Sequence, residues 1–373
     1  MSKMNAIFVT VPAYGHLHPM IPLGTALEAR GHKVFMATTS NFLPAVADTG
    51  LRGLDLGPAE DPRRPGWSLN KPAIIDTLVA LAENLGPDVI VHDHLAAGAG
   101  LAADLIGIPN AYLSVGTIRP PHIMNNIQRA CEPLWAHYGL PLPPALGLHR
   151  HLYLDRCPPS LQPPEIRDIP TAHPISPLNY DGFQDSNRPD WMARLGSKPV
   201  IYVTLGTMFN SIKTFADILS ALHGEDAEII VTIGRDLDPA DLGPQPNNVH
   251  LERYIPQSLI LPHCDLVISH GGSGTIMASL ALGLPLVILP QSLIADQSWN
   301  GERCVARGVG RMLKPEQATP AAIRAAVRAV QTDPAYRRNA QAVAAEIAAL
   351  PGLEHAVELL ETLIDYRARK EAS

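Results

Sequence analysis

Short apolar runs that close on a glycine or a polar turn alternate with helix-like stretches along this chain, and the alternation runs twice. In the first half, "NAIFVTV" (5–11) reads as a buried strand, "HPMIPLGTALEARG" (18–31) has helical spacing and stops at Gly31, and "HKVFMAT" (32–38) is a second strand. "LAENLGPDVIVHDH" (81–94) gives a helix end, a Gly-Pro break and a strand; "GAGLAADLIG" (98–107) is helical and "PNAYLSVG" (109–116) is strand again. From about 155 to 198 the chain is dense in proline and polar residues without a period, which reads as a linker. The alternation then restarts with "KPVIYVTLG", "TFADILSALHG", "AEIIVTIG", "NVHLERYIP", "SLILPHC", "DLVISHGG", "SGTIMASLALG" and "PLVILP". Strands alternating with helices imply right-handed βαβ units and parallel sheets. The reading is therefore an α/β chain of two domains, each with its own sheet, followed by one amphipathic helix, "EHAVELLETLIDYRARK" (354–370), whose stripe is Val357, Leu360, Leu363 and Ile364.

A length of 373 residues suits two domains, and 46% hydrophobic residues supply two cores. A formal charge of -7 without a clustered basic surface argues against nucleic acid as a partner. Cys131, Cys157, Cys264 and Cys304 are far apart and fit neither a disulfide framework nor a zinc spacing, so a reducing cytoplasm is the expected compartment. The N-terminus "MSKMNAIFVTVP" lacks the basic region and cleavage site of a signal peptide, and no stretch reaches the 18 or so apolar residues that spanning a membrane takes.

The most informative stretch is "DLVISHGGSGTIMASLALGLPLVILPQSLIADQSWN" (265–300). Ligands of open parallel sheets sit at the C-terminal strand ends, and "VISH" places His270 there. Small residues after it let the backbone approach a ligand, and the next helix points its N–H groups and positive dipole end outward. That is an anion site with phosphate as the usual occupant. A glycine-rich strand–helix turn serves packing alone equally well.

The whole stretch, preceded by "RYIPQ", resembles the nucleotide-sugar signature of the GT-B glycosyltransferases, family 1 above all, which includes UDP-sugar transferases and the macrolide and enediyne antibiotic glycosyltransferases. "VPAYGHLHPMIPLGTALEARGHKV" matches that family's first strand and helix, "PDVIVHD" its acidic strand end, "CPPSLQPP" its interdomain region and "VTLGT" the start of its donor domain. The resemblance covers nearly the entire chain. It implies two Rossmann-like, doubly wound parallel-sheet domains facing across a cleft: an acceptor domain over 1–185 with the linker at about 155–198, a nucleotide-sugar domain over 198–350, and a helix at 351–373 that crosses back to the N-terminal domain.

The resemblance also implies roles. Tyr254 takes the place of an aromatic that stacks on the donor base; tyrosine in place of tryptophan keeps a π face of smaller area. Ile255 and Gln257 lie near the base. His270, Gly272, Ser273, Gly274 and Thr275 hold the diphosphate, and Gly206 and Thr207 form a second turn on the leaving-phosphate side. Asp296 and Gln297 match a pair that hydrogen-bonds sugar hydroxyls, with Asn300 one helical turn further on; an N-terminal helix cap at Asp296 is compatible with that role. His16 matches the family's catalytic histidine, a general base for an acceptor hydroxyl, and Asp93 the acid that orients it. His18 stands where the family usually has Asn. His92 and His94, on the strand face opposite Asp93, read as local polar contacts.

No metal or other cofactor is implied, because helix dipoles and N–H donors neutralise the leaving group. Asp236 and Asp238 in "RDLDPADL" imitate an Asp-x-Asp metal motif, but the turn composition places them on an exposed loop. The expected partners are a UDP- or TDP-sugar donor and a lipophilic small-molecule acceptor, with no nucleic acid and no stable membrane insertion, in a monomer or homodimer. Two rivals stay open: another GT-B enzyme such as a nucleotide-sugar epimerase, and a non-catalytic helper that binds the nucleotide sugar. The chain departs from the family between about 64 and 81, where a longer, helix-rich acceptor segment is usual.

Overall fold

The computed structural model describes residues 3–59, 68–182, 188–208, 210–292, 296–364 and 366. It divides into two compact units, Met1–Tyr180 with Leu350–Ser373, and Asp181–Ala349. Part of the segment between about 64 and 81 falls outside the described residues; what is described there leads into a helix at Pro72.

The first unit carries strands β1 (Asn5–Val9), β2 (Lys33–Thr38), β3 (Arg52–Asp55), β4 (Val89–His92), β5 (Asn110–Leu113), β6 (Leu152–Asp155) and β7 (Ala172–Pro174). They form one parallel sheet in the order β3-β2-β1-β4-β5-β6-β7. Helices α1 (Tyr14–Leu17), α2 (Ile21–Ala29), α3 (Leu43–Ala47), α4 (Pro72–Leu85), α5 (Ala97–Ile106) and α6 (Pro121–His137) connect them. The order reverses beside β1, so the ends of β1 and β4 flank the switch point where doubly wound sheets bind ligands. Every residue of β4, β5 and β6 is buried, as strands covered on both faces must be, and that is why they read as apolar runs. The stretch over 18–31 holds one helix, α2, with Pro22 in its first turn, where a missing N–H costs nothing, and His16 lies on the short helix α1 that precedes it.

The second unit carries β8 (Val200–Thr204), β9 (Glu228–Thr232), β10 (Val249–Glu252), β11 (Leu266–Ser269), β12 (Leu286–Ile288) and β13 (Gly310–Met312), with α7 (Ile212–Leu222), α8 (Gln257–Ile260), α9 (Ser273–Ala281), α10 (Gln297–Arg307), α11 (Pro320–Thr332) and α12 (Pro334–Ala349). Its sheet is again parallel, in the order β10-β9-β8-β11-β12-β13. The reversal falls between β8 and β11, the strands that lead to Gly206 and to His270. Both units are thus Rossmann-like.

The proline-rich stretch at 155–198 is more than a connector, since β7 within it extends the first sheet. Proline is tolerated at the end of an edge strand, and Pro174 occupies that place. The last helix, α13 (Leu353–Glu361), lays Ala356, Val357 and Leu360, with Leu363 just beyond it, into the core of the first unit, against Leu17, Met20, Leu23 and Leu27.

Candidate functional site

In the first unit, His16 Nδ1 lies 2.9 Å from Asp93 Oδ2. Asp93 follows β4 and is fully buried. Its other oxygen accepts from Leu95 N (2.7 Å) and Ala96 N (3.3 Å), which caps the 3-10 turn His94–Ala96 and fixes the carboxylate. Burial alone would raise this carboxyl, but the charge of His16 and the hydrogen bonds it receives hold it well below the usual carboxylate range. An ionised Asp93 draws the ring proton to Nδ1 and leaves the lone pair of His16 on Nε2. His16 itself is partly exposed.

His94 packs beside the pair, its ring centroid 5.7 Å from that of His16, and receives the Arg119 guanidinium. Burial, reinforced by Arg119, pushes its imidazole well below the ordinary value, so it is neutral. His92 is buried and contacts the Asp93 carbonyl oxygen through Nδ1 (3.0 Å). Arg119 also lines a cavity of about 280 Å³ together with Tyr112, Ile118, Met124 and His149. Neither Arg119 nor this cavity carries a signal in the sequence, since its walls come from four separate segments.

In the second unit, the loop after β8 and the turn after β11 meet at His270. A Cβ on Gly206 (φ +78°) would stand 2.6 Å from His270 Cε1, and one on Gly272 would stand 2.4 Å from Nε2. The imidazole is therefore sandwiched between two backbones that only glycine permits. Its Nδ1 is buried without a hydrogen-bond partner, and burial pushes the ring down to about 4 despite the nearby Asp296. His270 can thus serve as a neutral donor. Gly272 is the N-cap of α9, so the first N–H groups of that helix open toward the same turn. A Cβ on Gly274 would meet nothing within 4 Å, which leaves the first turn approachable. Thr207 is exposed on the Gly206 loop.

The remaining predicted residues hold each other. Ser273 Oγ donates to Asp296 Oδ2 (2.9 Å), and Asn300 Nδ2 reaches Asp296 Oδ2 (3.0 Å), Ser273 Oγ (3.0 Å) and Gly271 O (3.2 Å). The Ser273 hydroxyl donates to Asp296 in this arrangement, and its backbone N–H lies in the first turn of α9. Asp296 stands at the N-cap of α10 but makes no side-chain cap bond. Gln297 is buried, and its Oε1 accepts from Gln291 N (2.6 Å) and Ser292 N (3.1 Å), so it braces the loop before α10. Gln257 Nε2 donates to Thr275 Oγ1 (3.0 Å), tying α8 to α9. Ile255 is buried, whereas Tyr254 is 37% exposed. Arg235 lies against Tyr254, a partner the sequence did not indicate.

Asp238 caps the turn Pro239–Leu242 through Ala240 N and pairs with Arg253 at 3.1 Å. Among the described residues, no group of three or more His, Cys, Asp or Glu side chains is placed to hold a metal ion. The four cysteines are free and buried. No helix among the described residues is long and apolar enough to cross a membrane.

Known proteins resemble this chain over most of its length. Residues 216–363 match the family described as erythromycin biosynthesis protein CIII-like, C-terminal domain. An L-demethylnoviosyl transferase of Streptomyces niveus is 30% identical, with 93% of this chain aligned to 95% of that protein. Among solved structures, the glycosyltransferase of kitacinnamycin superposes with a TM-score of 0.82 at 28% identity, covering 98% of this chain and all of the other. Spinosyn rhamnosyltransferase, solved with thymidine diphosphate (TM-score 0.80) and with the spinosyn aglycone (0.79), is 26% identical over 96% of this chain and all of the other.

Proposed function

The chain belongs to the family 1 glycosyltransferases of the macrolide and enediyne antibiotic type, which have the GT-B fold, and from that membership we propose an inverting transfer of a hexose or deoxyhexose from a UDP- or TDP-sugar to a hydroxyl of a lipophilic small molecule. The observation that carries the mechanism is the 2.9 Å contact between His16 and Asp93. Asp93 fixes the tautomer and stabilises the imidazolium that forms; Nε2 of His16 takes the hydroxyl proton. The acceptor oxygen bonds to the anomeric carbon as the bond from that carbon to the diphosphate breaks. The leaving oxygen keeps the electron pair, and its charge falls to the N–H groups of α9 and to His270. The thymidine diphosphate in the spinosyn rhamnosyltransferase structure supports a nucleotide-sugar donor. The aglycone in the companion structure supports a small-molecule acceptor, for which the cavity beside Arg119 offers Ile118 and Met124 as apolar walls. The test is the anomeric configuration of the product made from an α-linked donor. A β-linked product is expected, and retention would overturn the inverting reading.

Two further outcomes are expected. Activity persists in excess EDTA, since diphosphate charge is met here by N–H donors; loss that Mg²⁺ or Mn²⁺ restores would overturn this. Asp296→Asn separates sugar from nucleotide. The amide oxygen still accepts from Ser273 and Asn300, while the second carboxylate oxygen becomes a donor. Catalytic efficiency with the preferred sugar donor is expected to fall about 10- to 100-fold, as when a hydrogen bond to a charged group is lost. Affinity for the free nucleoside diphosphate stays nearly constant. Equal losses for both ligands would mean that Asp296 only supports the turn.

A further inference from the structure

Strands β9 and β10 stay in register past their last paired residues: Ile233 N donates to Glu252 O (3.0 Å) and Gly234 N to Arg253 O (2.9 Å). That register sets Tyr254 opposite Gly234, one residue before Arg235, and the guanidinium carbon of Arg235 lies 4.8 Å from the centroid of the Tyr254 ring. The far end of that ring is anchored. Its hydroxyl donates to the Asp181 carbonyl oxygen, and the Asp181 carboxylate in turn accepts from Ser258 N (2.6 Å) and Ser258 Oγ (3.2 Å) at the start of α8. The nearby carboxylate of Asp238 is paired with Arg253.

A flat ring stacked between two planar groups needs about 3.5 Å on each side, or about 7 Å in all. The Arg235–Tyr254 pair is closer than that. The ring is held by its hydroxyl, whereas Arg235 follows a turn at Gly234 (φ +92°) and is exposed. Of the two walls, the guanidinium is the one that can yield. We propose that Arg235 is a nucleobase-binding residue: it swings outward as the base slides onto Tyr254 and closes over the base as the second wall of a cation–π slot. This rests on the nucleotide-sugar reading of the second unit. A slot of two π-type walls reads the face of a base and not its substituents, so it accepts uracil and thymine alike.

The experiment titrates wild type, Arg235→Ala and Arg235→Lys with UDP, TDP and inorganic pyrophosphate, the last by competition. Arg235→Ala is expected to weaken UDP and TDP by the same factor, about 5- to 30-fold, and to leave pyrophosphate unchanged. Arg235→Lys keeps part of the affinity, because an ammonium also sits over a π face. Unchanged or tighter nucleotide binding in Arg235→Ala would overturn the proposal, the tighter case marking Arg235 as a mere cover over Tyr254. An equal loss for pyrophosphate would also overturn it, by assigning Arg235 to the phosphates. Failure of the wild type to bind either nucleotide would sink the nucleotide-sugar reading itself, whereas wild-type binding with an indifferent variant would sink only the role of Arg235.

Discussion

His16→Ala is expected to lower the turnover number roughly 10²–10⁴-fold, the usual worth of general-base help, while affinity for the nucleoside diphosphate is unchanged, because the candidate nucleotide residues all belong to the second unit. Asp93→Asn is expected to be comparably severe, and the hydrogen-bond pattern says why. An asparagine oxygen in place of Asp93 Oδ1 can keep accepting from Leu95 N and Ala96 N. Its NH₂ group then faces His16 Nδ1, which must become an acceptor. The ring proton moves to Nε2, and the atom needed as the base is blocked. The double variant should be no worse than either single one, since both remove the same function. Near-full turnover in His16→Ala on an ordinary hydroxyl acceptor would exclude His16 as the base. Additive losses in the double variant would exclude the dependence of His16 on Asp93.

How far these features were legible in the sequence depended on burial. Strands such as β1, β4, β8 and β11 lie inside their sheets, are almost wholly buried and announce themselves as apolar runs. Edge strands do not. "RGLD" of β3 and "GRM" of β13 leave most of their residues outside the core, and β7 hides in proline-rich chain. Helix α6 is masked in another way: Pro133 lies inside it, and only Cys131, Leu134 and Trp135 of its 17 residues are buried.

The site was legible as a set of residue types and illegible as a network. A motif can nominate Ser273, Asp296 and Asn300, but not that one carboxylate oxygen receives both the serine hydroxyl and the asparagine amide from two helices. Nor can it tell that Gln297 is turned inward to hold the backbone of Gln291 and Ser292. Such assignments depend on which lone pair faces which donor, and that is decided by packing between segments distant in sequence. Arg235 stands at the same limit, since only the register of β9 against β10 brings it to Tyr254.

Truncation after Leu350 is expected to lower the unfolding temperature of the first unit by about 5–15 °C, a few kcal/mol spread over a unit of some 200 residues. The loss has two parts. Val357, Leu360 and Leu363 leave the core, and Leu17, Met20, Leu23 and Leu27 lose the face that covers them; each large apolar side chain is worth about 1.5–3 kcal/mol when fully buried. Part of this is offset, because the removed residues no longer need to be ordered. The polar part is not offset. Glu361 Oε1 lies 2.8 Å from His32 Nε2, and His32 Nδ1 accepts from Met4 N (3.0 Å) beside the first strand. Removing Glu361 leaves a nearly buried imidazole nitrogen without its partner, and also releases Arg30, which Glu361 holds at 3.1 Å. The milder variant Leu360→Ala keeps the helix and empties one buried site, which typically costs about 2–5 kcal/mol. In both variants the affinity of the second unit for UDP or TDP should stay at the wild-type value, which distinguishes loss of this packing from general misfolding. An unchanged unfolding midpoint in the truncated chain would show that α13 contributes nothing to the first core, whatever its burial.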